Sequence, residues 1–245
     1  KKSPPGDLEA TGYGVSQKAY ERVTRKPGSF AAFMRGVDLL LKNKVRTRFK
    51  AMALRSNIDE LPRIAAFCRK RTKDYFRFDP FLHLRFDRNQ RRNQEIKSER
   101  LAPKKIAAIE QADRERFDSL EKNCAKLINP AFSHYTCDHL FHCGSGNGSF
   151  VVSYDGFFRL CSSLNHPACV YDLKKGSLTQ AWREFVPRVR DLRSKRSAFL
   201  KRCRVCPIIN LCMWCPALAH LETGALDKPV EYFCQTARAR AVLLQ

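Results

Sequence analysis

Eleven cysteines occur in the 245 residues, and nine of them fall between Cys137 and Cys234. Eight of the nine follow one pattern: Cys137-x5-Cys143-x17-Cys161, then, after 41 residues, Cys203-x2-Cys206-x5-Cys212-x2-Cys215-x18-Cys234. Three chemistries use thiols at this density. Disulfides need an oxidising compartment, and no export signal is legible at the N-terminus, which sets that reading last. Zinc takes paired C-x2-C knuckles as thiolates in a closed tetrahedral site, and two such pairs are present. Iron–sulfur clusters take four thiolates each, and eight cysteines make two sets of four. Spacing alone leaves zinc and iron–sulfur both open.

His134, His139 and His142 flank the first two of these cysteines, and imidazole can replace thiolate at either metal. Because the cysteines already fill two four-ligand sites, the histidines are expected to support the site or face solvent. Gly144-Ser145-Gly146-Asn147-Gly148 lacks the strand–loop–helix setting of a phosphate loop. It reads as a flexible lead-in to the next element.

That element is a hairpin. Phe150–Tyr154 and Phe157–Cys161 are β-rich runs joined by Asp155-Gly156, which predicts a type I′ turn with positive φ at both central residues. The hairpin would deliver Cys161 at its end. Ser177 predicts the cap of a helix with Leu178, Trp182, Phe185, Val186 and Val189 turned inward, kinked or ended by Pro187. The first half alternates strands and helices. Strand candidates are Leu8–Val15, Val45–Leu54 and Tyr75–Leu84. A helix opens at Ser29 with Phe30, Phe33, Met34, Val37, Leu40 and Leu41 on one stripe. Another follows Asn57 and Glu60, a capping box, and carries Ile58, Leu61, Ile64, Ala65 and Cys68. This order predicts an α/β fold with a parallel sheet and right-handed crossovers. Residues 85–100 are polar without apolar period and read as a loop. Pro103 opens a helix expected to reach about Leu127. The domain boundary belongs near residues 125–136.

The chain is long enough to bury a core, and with 44% hydrophobic and 11% aromatic residues it has globular composition. No apolar run approaches the roughly 18–20 residues of a transmembrane helix. Lys+Arg 46 against Asp+Glu 24 gives a net charge of +22, which suits an acidic or polyanionic partner. A solvated surface accounts for most of that charge, and nucleic acid ranks below other partners.

The combination of Cys137-x5-Cys143, Gly156-x4-Cys161 at the end of a hairpin, the C-x2-C-x5-C block and Cys215-Pro216 with a last cysteine beyond resembles the SPASM domain. SPASM domains extend radical S-adenosylmethionine (SAM) enzymes that modify peptides and proteins. The first half agrees: LEATGYGVSQKAYERVTRKPGSF, a lysine-bearing strand and SNIDEL resemble the later strands and helices of the radical SAM barrel. The resemblance implies a partial TIM-type barrel of parallel strands and helices over residues 1–127, followed over 128–245 by a cysteine-rich domain with a β-hairpin and short helices. It implies one auxiliary 4Fe–4S cluster on Cys137, Cys143, Cys161 and Cys215, and a second on Cys203, Cys206, Cys212 and Cys234. Cys215 would then cross to the first cluster, so that the two staple one domain. Cys68 and Cys124 remain as small core residues, and Cys169 has no assigned partner.

The same resemblance places Thr11 where the family offers a hydroxyl to SAM, and Arg22, or else Arg25, where an arginine contacts it. Lys50 would point from its strand into the barrel or onto the helix layer, depending on register, while Asp79 and Arg85 fall at the end of the third strand, where barrel active sites gather. Two departures stand out. Two residues separate Cys212 from Cys215 where the family has three, and Ser162 stands where sulfatase maturases of the family carry an aspartate that acts in proton removal. Sulfatase maturation is therefore not implied. No C-x3-C-x2-C motif, which holds the catalytic cluster and its SAM, occurs in the 245 residues. The chain thus reads as the C-terminal portion of a longer oxidoreductase, or as a degenerate one. SAM and a third cluster would belong to the full-length parent, and this portion alone would be inactive. Expected partners are a peptide or protein substrate and a flavodoxin or ferredoxin-type electron donor, in the cytoplasm, with no membrane. The competing readings are a basic zinc module that contacts nucleic acid and a radical SAM enzyme acting on a small molecule.

Overall fold

The computed structural model describes residues 8–124 and 138–244. The chain is mixed α/β. It divides into two compact units, one running to Leu82 and including Gln94–Ile106, the other comprising His83–Asn93 and the chain from Ala107 onward. The boundary expected at residues 127–128 lies outside the described residues.

The first unit is built on a parallel sheet of β1 (Leu8–Gly12), β2 (Thr47–Met52) and β3 (Arg77–Asp79), in that order. Helices α1 (Gln17–Thr24) and α2 (Ser29–Lys42) connect β1 to β2, and α3 (Leu61–Arg69) precedes β3. Side chains alternate between the two faces of a strand. Phe49, Ala51 and Phe78 occupy one face and are buried with Ile64, Ala65 and Cys68 of α3. Phe67 of α3 meets Phe33 of α2 and Phe49 of β2, each at 6.5 Å between ring centroids. The opposite face carries Glu9, Thr11, Lys50, Arg77 and Asp79, in the register Thr11↔Lys50, Lys50↔Arg77 and Met52↔Asp79. Parallel sheets are ordinarily apolar on both faces; this one is charged on one. Among the described residues the sheet has three strands and does not close into a barrel.

Several local expectations are corrected. The box on Asn57 does not form. Asn57 is fully buried; its Oδ1 accepts the Leu54 N–H at 2.9 Å and its Nδ2 donates to the Tyr13 and Met52 carbonyls, both at 3.0 Å. A short polar side chain satisfies three orphan backbone groups where β1 and β2 end, which outweighs capping one helix. Glu60 turns to the Val15 N–H at 2.9 Å and the Ser16 hydroxyl at 2.8 Å. Residues 90–99, expected as loop, form helix α4 (Gln90–Glu99). Its Gln, Arg, Glu and Lys residues are good helix formers, Asn89 Oδ1 caps the Arg92 N–H at 3.0 Å, and α4 buries no residue. The single helix expected from Pro103 is two, α5 (Pro103–Ala112) and α6 (Arg114–Cys124). Asp113 breaks it by capping α6, accepting from the Arg116 N–H at 3.1 Å.

The second unit carries an antiparallel sheet of β4 (Val151–Val152), β5 (Phe157–Arg159) and β6 (Tyr171–Asp172). The β4–β5 hairpin forms as expected, but with a different turn. Gly156 alone has positive φ, at 82°, while Asp155 does not. Gly156 N–H bonds to Ser153 O and Ser153 N–H to Phe157 O, each at 2.9 Å. This is a three-residue connection with its glycine left-handed. Gly146 is not a loose lead-in. At φ 78° it is buried, and a Cβ there would sit 3.0 Å from Leu160 and Val186 side chains. Ser177 caps α7 (Leu178–Gln180), which passes through a π turn at Ala181–Phe185 into α8 (Val186–Arg190). Pro187 therefore does not end the helix. It donates no backbone N–H, and the wider π turn just before it accommodates its ring. Helices α9 (Pro216–Thr223) and α10 (Glu231–Leu243) close the unit. Its main core gathers Phe158, Leu160, Leu164, Phe185, Val189 and Phe199, with Cys161 and Cys215 packed against it. Among the described residues no helix is long and apolar enough to cross a membrane.

Candidate functional site

Four cysteines far apart in sequence line one cavity. Cys203 ends a π turn (Phe199–Cys203), Cys206 and Cys212 flank a 3-10 turn (Ile209–Leu211), and Cys234 lies in the first turn of α10. All four border a cavity of about 370 Å³, whose lining also includes the basic Lys201, Arg202 and Arg238 and the apolar Val205, Ile208 and Trp214. The Cys212 thiol is pushed up to about 12, mainly by burial, with the Trp214 backbone N–H opposing and Cys234, Cys203 and Cys206 adding to the rise. Burial pushes Cys203 up to about 11, with Cys234 and Cys206 adding to the shift and Arg202 opposing it. Four thiols in one neighbourhood resist ionising together. A metal group that replaces their protons removes that conflict.

Cys143, Cys161 and Cys215 form a second neighbourhood. Burial raises the Cys215 thiol, the Leu218 N–H opposes that, and nearby Cys161 and Cys143 raise it further. Cys215 is the N-cap of α9, its Sγ accepting the Leu218 N–H at 3.4 Å. The positive end of a helix there favours a thiolate. Trp214 fixes the approach, stacking near Phe199 at 4.7 Å and donating from Nε1 to the Lys228 carbonyl at 3.0 Å. Arg190 holds the segment of Cys143 through its carbonyl at 3.1 Å and that of Ser145 at 2.6 Å. Cys137, the expected fourth member, lies outside the described residues, as does His134. Cys169 is fully buried, and its thiol is pushed up to about 12 by burial and by nearby Cys161.

His139 Nε2 pairs with Asp191 Oδ1 at 2.9 Å, and His142 Nε2 lies 3.1 Å from the His139 carbonyl. Both rings are thus engaged in support. Cys68, Cys143, Cys161, Cys169, Cys203, Cys206, Cys212, Cys215 and Cys234 are free. Among the described residues no group of three or more His, Cys, Asp or Glu side chains is placed to hold a metal ion. Four thiols that line one cavity are donors for zinc or for an iron–sulfur cluster. The donor chemistry and this space fit a polynuclear cluster.

One ion cluster joins the segments that enter this second set. Asp227, ahead of α10, accepts from Ser194 Oγ at 2.8 Å and Arg196 Nε at 2.9 Å, ahead of the Phe199–Cys203 turn. Burial tends to raise the Asp227 carboxyl, but the Arg196 and Ser194 bonds outweigh it and hold it below its usual 3.8. A depressed carboxylate contributes stability above its unfolded pKa and loses it as pH falls through the folded value. Asp227→Asn is therefore expected to lower the urea midpoint at pH 7, with the gap to wild type closing as pH falls below 3.8. A gap that persists at acid pH would contradict the assignment.

The charged face of the first unit is a separate candidate. Lys50 Nζ lies 2.8 Å from Glu9 and 3.8 Å from Asp79, and Arg77 reaches the same two carboxylates at 3.3 and 3.9 Å. Thr11 shares this face beside Lys50. Arg22 instead donates to the Ser56 carbonyl from α1. Arg25 is left-handed, at φ 54°, and pairs with Glu95 at 3.7 Å. Thr11 and Arg22 thus address different neighbours. Arg85 pairs with Asp87 at 2.5 Å. Glu9 was not anticipated as a member of this face; its position two residues before Thr11 was the available signal. No family model, no curated protein and no solved structure matches the chain.

Proposed function

We propose that the chain carries the auxiliary-cluster domain of a radical SAM/SPASM enzyme that oxidatively modifies a peptide or protein. The observation that carries this reading is the 370 Å³ cavity lined by Cys203, Cys206, Cys212 and Cys234. The neighbourhood of Cys143, Cys161 and Cys215 supports it, as does the three-stranded parallel sheet with one polar face. Cys203, Cys206, Cys212 and Cys234 would hold one 4Fe–4S group; Cys143, Cys161 and Cys215, with Cys137, would hold the other. When bound, such groups supply one-electron transfer at potentials set by burial, hydrogen bonds to sulfur and local charge.

The chain's own residues supply those settings. Leu218 N–H bonds the Cys215 sulfur. Arg202 and Arg238 bring positive charge to the second set. Thr11 and the Glu9–Lys50–Asp79–Arg77 face would meet SAM in a full-length parent, which would also supply the C-x3-C-x2-C cluster. The net charge of +22 suits an acidic peptide substrate and an acidic flavodoxin or ferredoxin-type donor. Free thiols in this number suit a reducing compartment such as the cytoplasm.

Anaerobic reconstitution followed by iron, sulfide and zinc analysis tests the reading. Two 4Fe–4S clusters predict about eight iron and eight sulfide per chain, with two reduced EPR signals. About one or two zinc and no iron would overturn it in favour of a zinc module.

A further inference from the structure

Glu110 is fully buried and Arg240 is 4% exposed. They form a two-pronged ion pair: Arg240 Nε donates to Glu110 Oε2 at 2.8 Å and Nη2 to Oε1 at 2.7 Å. The remaining nitrogen, Nη1, donates to the Leu211 carbonyl at 2.9 Å. Arg116 adds a further bond to Glu110 Oε1 at 3.0 Å. Both ends of the Arg240–Leu211 bond lie on the segments that carry the second cysteine set. Leu211 immediately precedes Cys212, and Arg240 lies on α10, the helix that bears Cys234. Leu211, Ala237 and Ala241 form the buried centre of the apolar contact between the Ile209–Leu211 turn and α10, with Leu120, Ile208, Cys212 and Leu244 partly buried around it. Non-directional packing with two alanines at its centre fixes little about how the turn and the helix align. A planar guanidinium with three fixed bonds does.

We propose that Arg240, held by Glu110, is a positioning residue for the second cysteine set, fixing the Cys212 segment against the helix that carries Cys234. The inference rests on the reading that this set holds a 4Fe–4S cluster. A buried ion pair is a poor stabiliser. Replacing the whole group by apolar residues of similar volume is often neutral or stabilising, whereas removing one partner is costly. What the pair supplies beyond an apolar contact is alignment. Losing a group that orients metal ligands typically weakens metal binding about 10–100-fold.

The test compares wild type with R240M/E110L, which removes both charges together; Arg116, one-quarter exposed, can turn to solvent. The double variant is expected to melt close to wild type yet retain about four iron rather than about eight after chelator challenge. One reduced EPR signal should vanish while the other is unchanged. R240K, which keeps a donor for the Leu211 carbonyl, should recover part of the missing signal. A full iron complement with unchanged signals and potentials in R240M/E110L overturns the positioning role and leaves the cluster reading standing. A wild type that takes up no iron overturns both. If the double variant aggregates, E110Q decides: faster release of half the iron to chelator supports the role, and release at the wild-type rate overturns it.

Discussion

A single alanine at Cys206 or Cys212 is expected to halve the iron bound after reconstitution, from about eight to about four per chain, and to erase one of two reduced EPR signals. The same loss is expected from Cys161→Ala, but with the other signal erased. The decisive member is Cys215. By sequence it sits with Cys212, with only two residues between them. By surroundings it sits with Cys161 and Cys143, whose thiols raise its own, while the neighbours that raise Cys212 are Cys234, Cys203 and Cys206. Pairs of substitutions separate the alternatives. C161A/C215A removes two ligands of one set, and about four iron should remain. C212A/C215A removes one from each, and little iron should remain. If C212A/C215A retained about four iron while C161A/C215A lost nearly all, Cys215 would belong to the second set. The crossing of the chain between clusters would then be wrong. Intact circular dichroism in each variant guards against global unfolding, and substitutions in separate sets should add.

The difference between what sequence spacing conveys and what only structure conveys is visible in these same residues. Hydrophobic period and turn chemistry placed the parallel strands, the Ser29 helix and the hairpin, because each rests on a repeating local preference. The elements misjudged were those decided by single polar contacts. Residues 90–99 became a helix with nothing buried, on propensity and the Asn89 cap. Asp113 split a helix that its apolar stripe alone would continue. Asn57 and Glu60 left their box for long-range partners at Tyr13, Val15 and Ser16, contacts with no trace in local pattern. At the site, cysteine spacing identified the candidates, but not the guanidinium groups that hold their backbone. Arg190 grips Cys143 and Ser145, and Arg240 grips Leu211. Against 46 basic residues, no sequence signal marks these two. Arg240 is distinguished only by lying in a mostly apolar last stretch of helix.

Removing the metal should affect the two sets unequally. Cys161 and Cys215 pack against a core of large side chains, including Phe158, Leu160, Leu164, Phe185 and Phe199. In the second set Cys203 shares that core, whereas Cys212 packs on a smaller cluster of buried Leu211, Ala237 and Ala241 with partly buried Leu120, Ile208 and Leu244, and at about 25 cal/mol per Å² of buried apolar surface a cluster with two alanines among its three buried members stabilises less. Metal binding is then expected to supply much of the cohesion of the 206–212 stretch, as in small metal-dependent folds. In the metal-free chain, amides of residues 204–212 and of α10 should therefore exchange with deuterium at least tenfold faster than in the loaded chain. Those of β5 and α8, backed by Phe158 and Val189, should change little. A protease should cut first within the 203–212 loop, where Val205 is already 60% exposed. Uniform loosening of the whole unit would mean that both sets share one cooperative core. No change anywhere would mean that the second set does not depend on metal for its fold, and would remove the structural reason for its four cysteines.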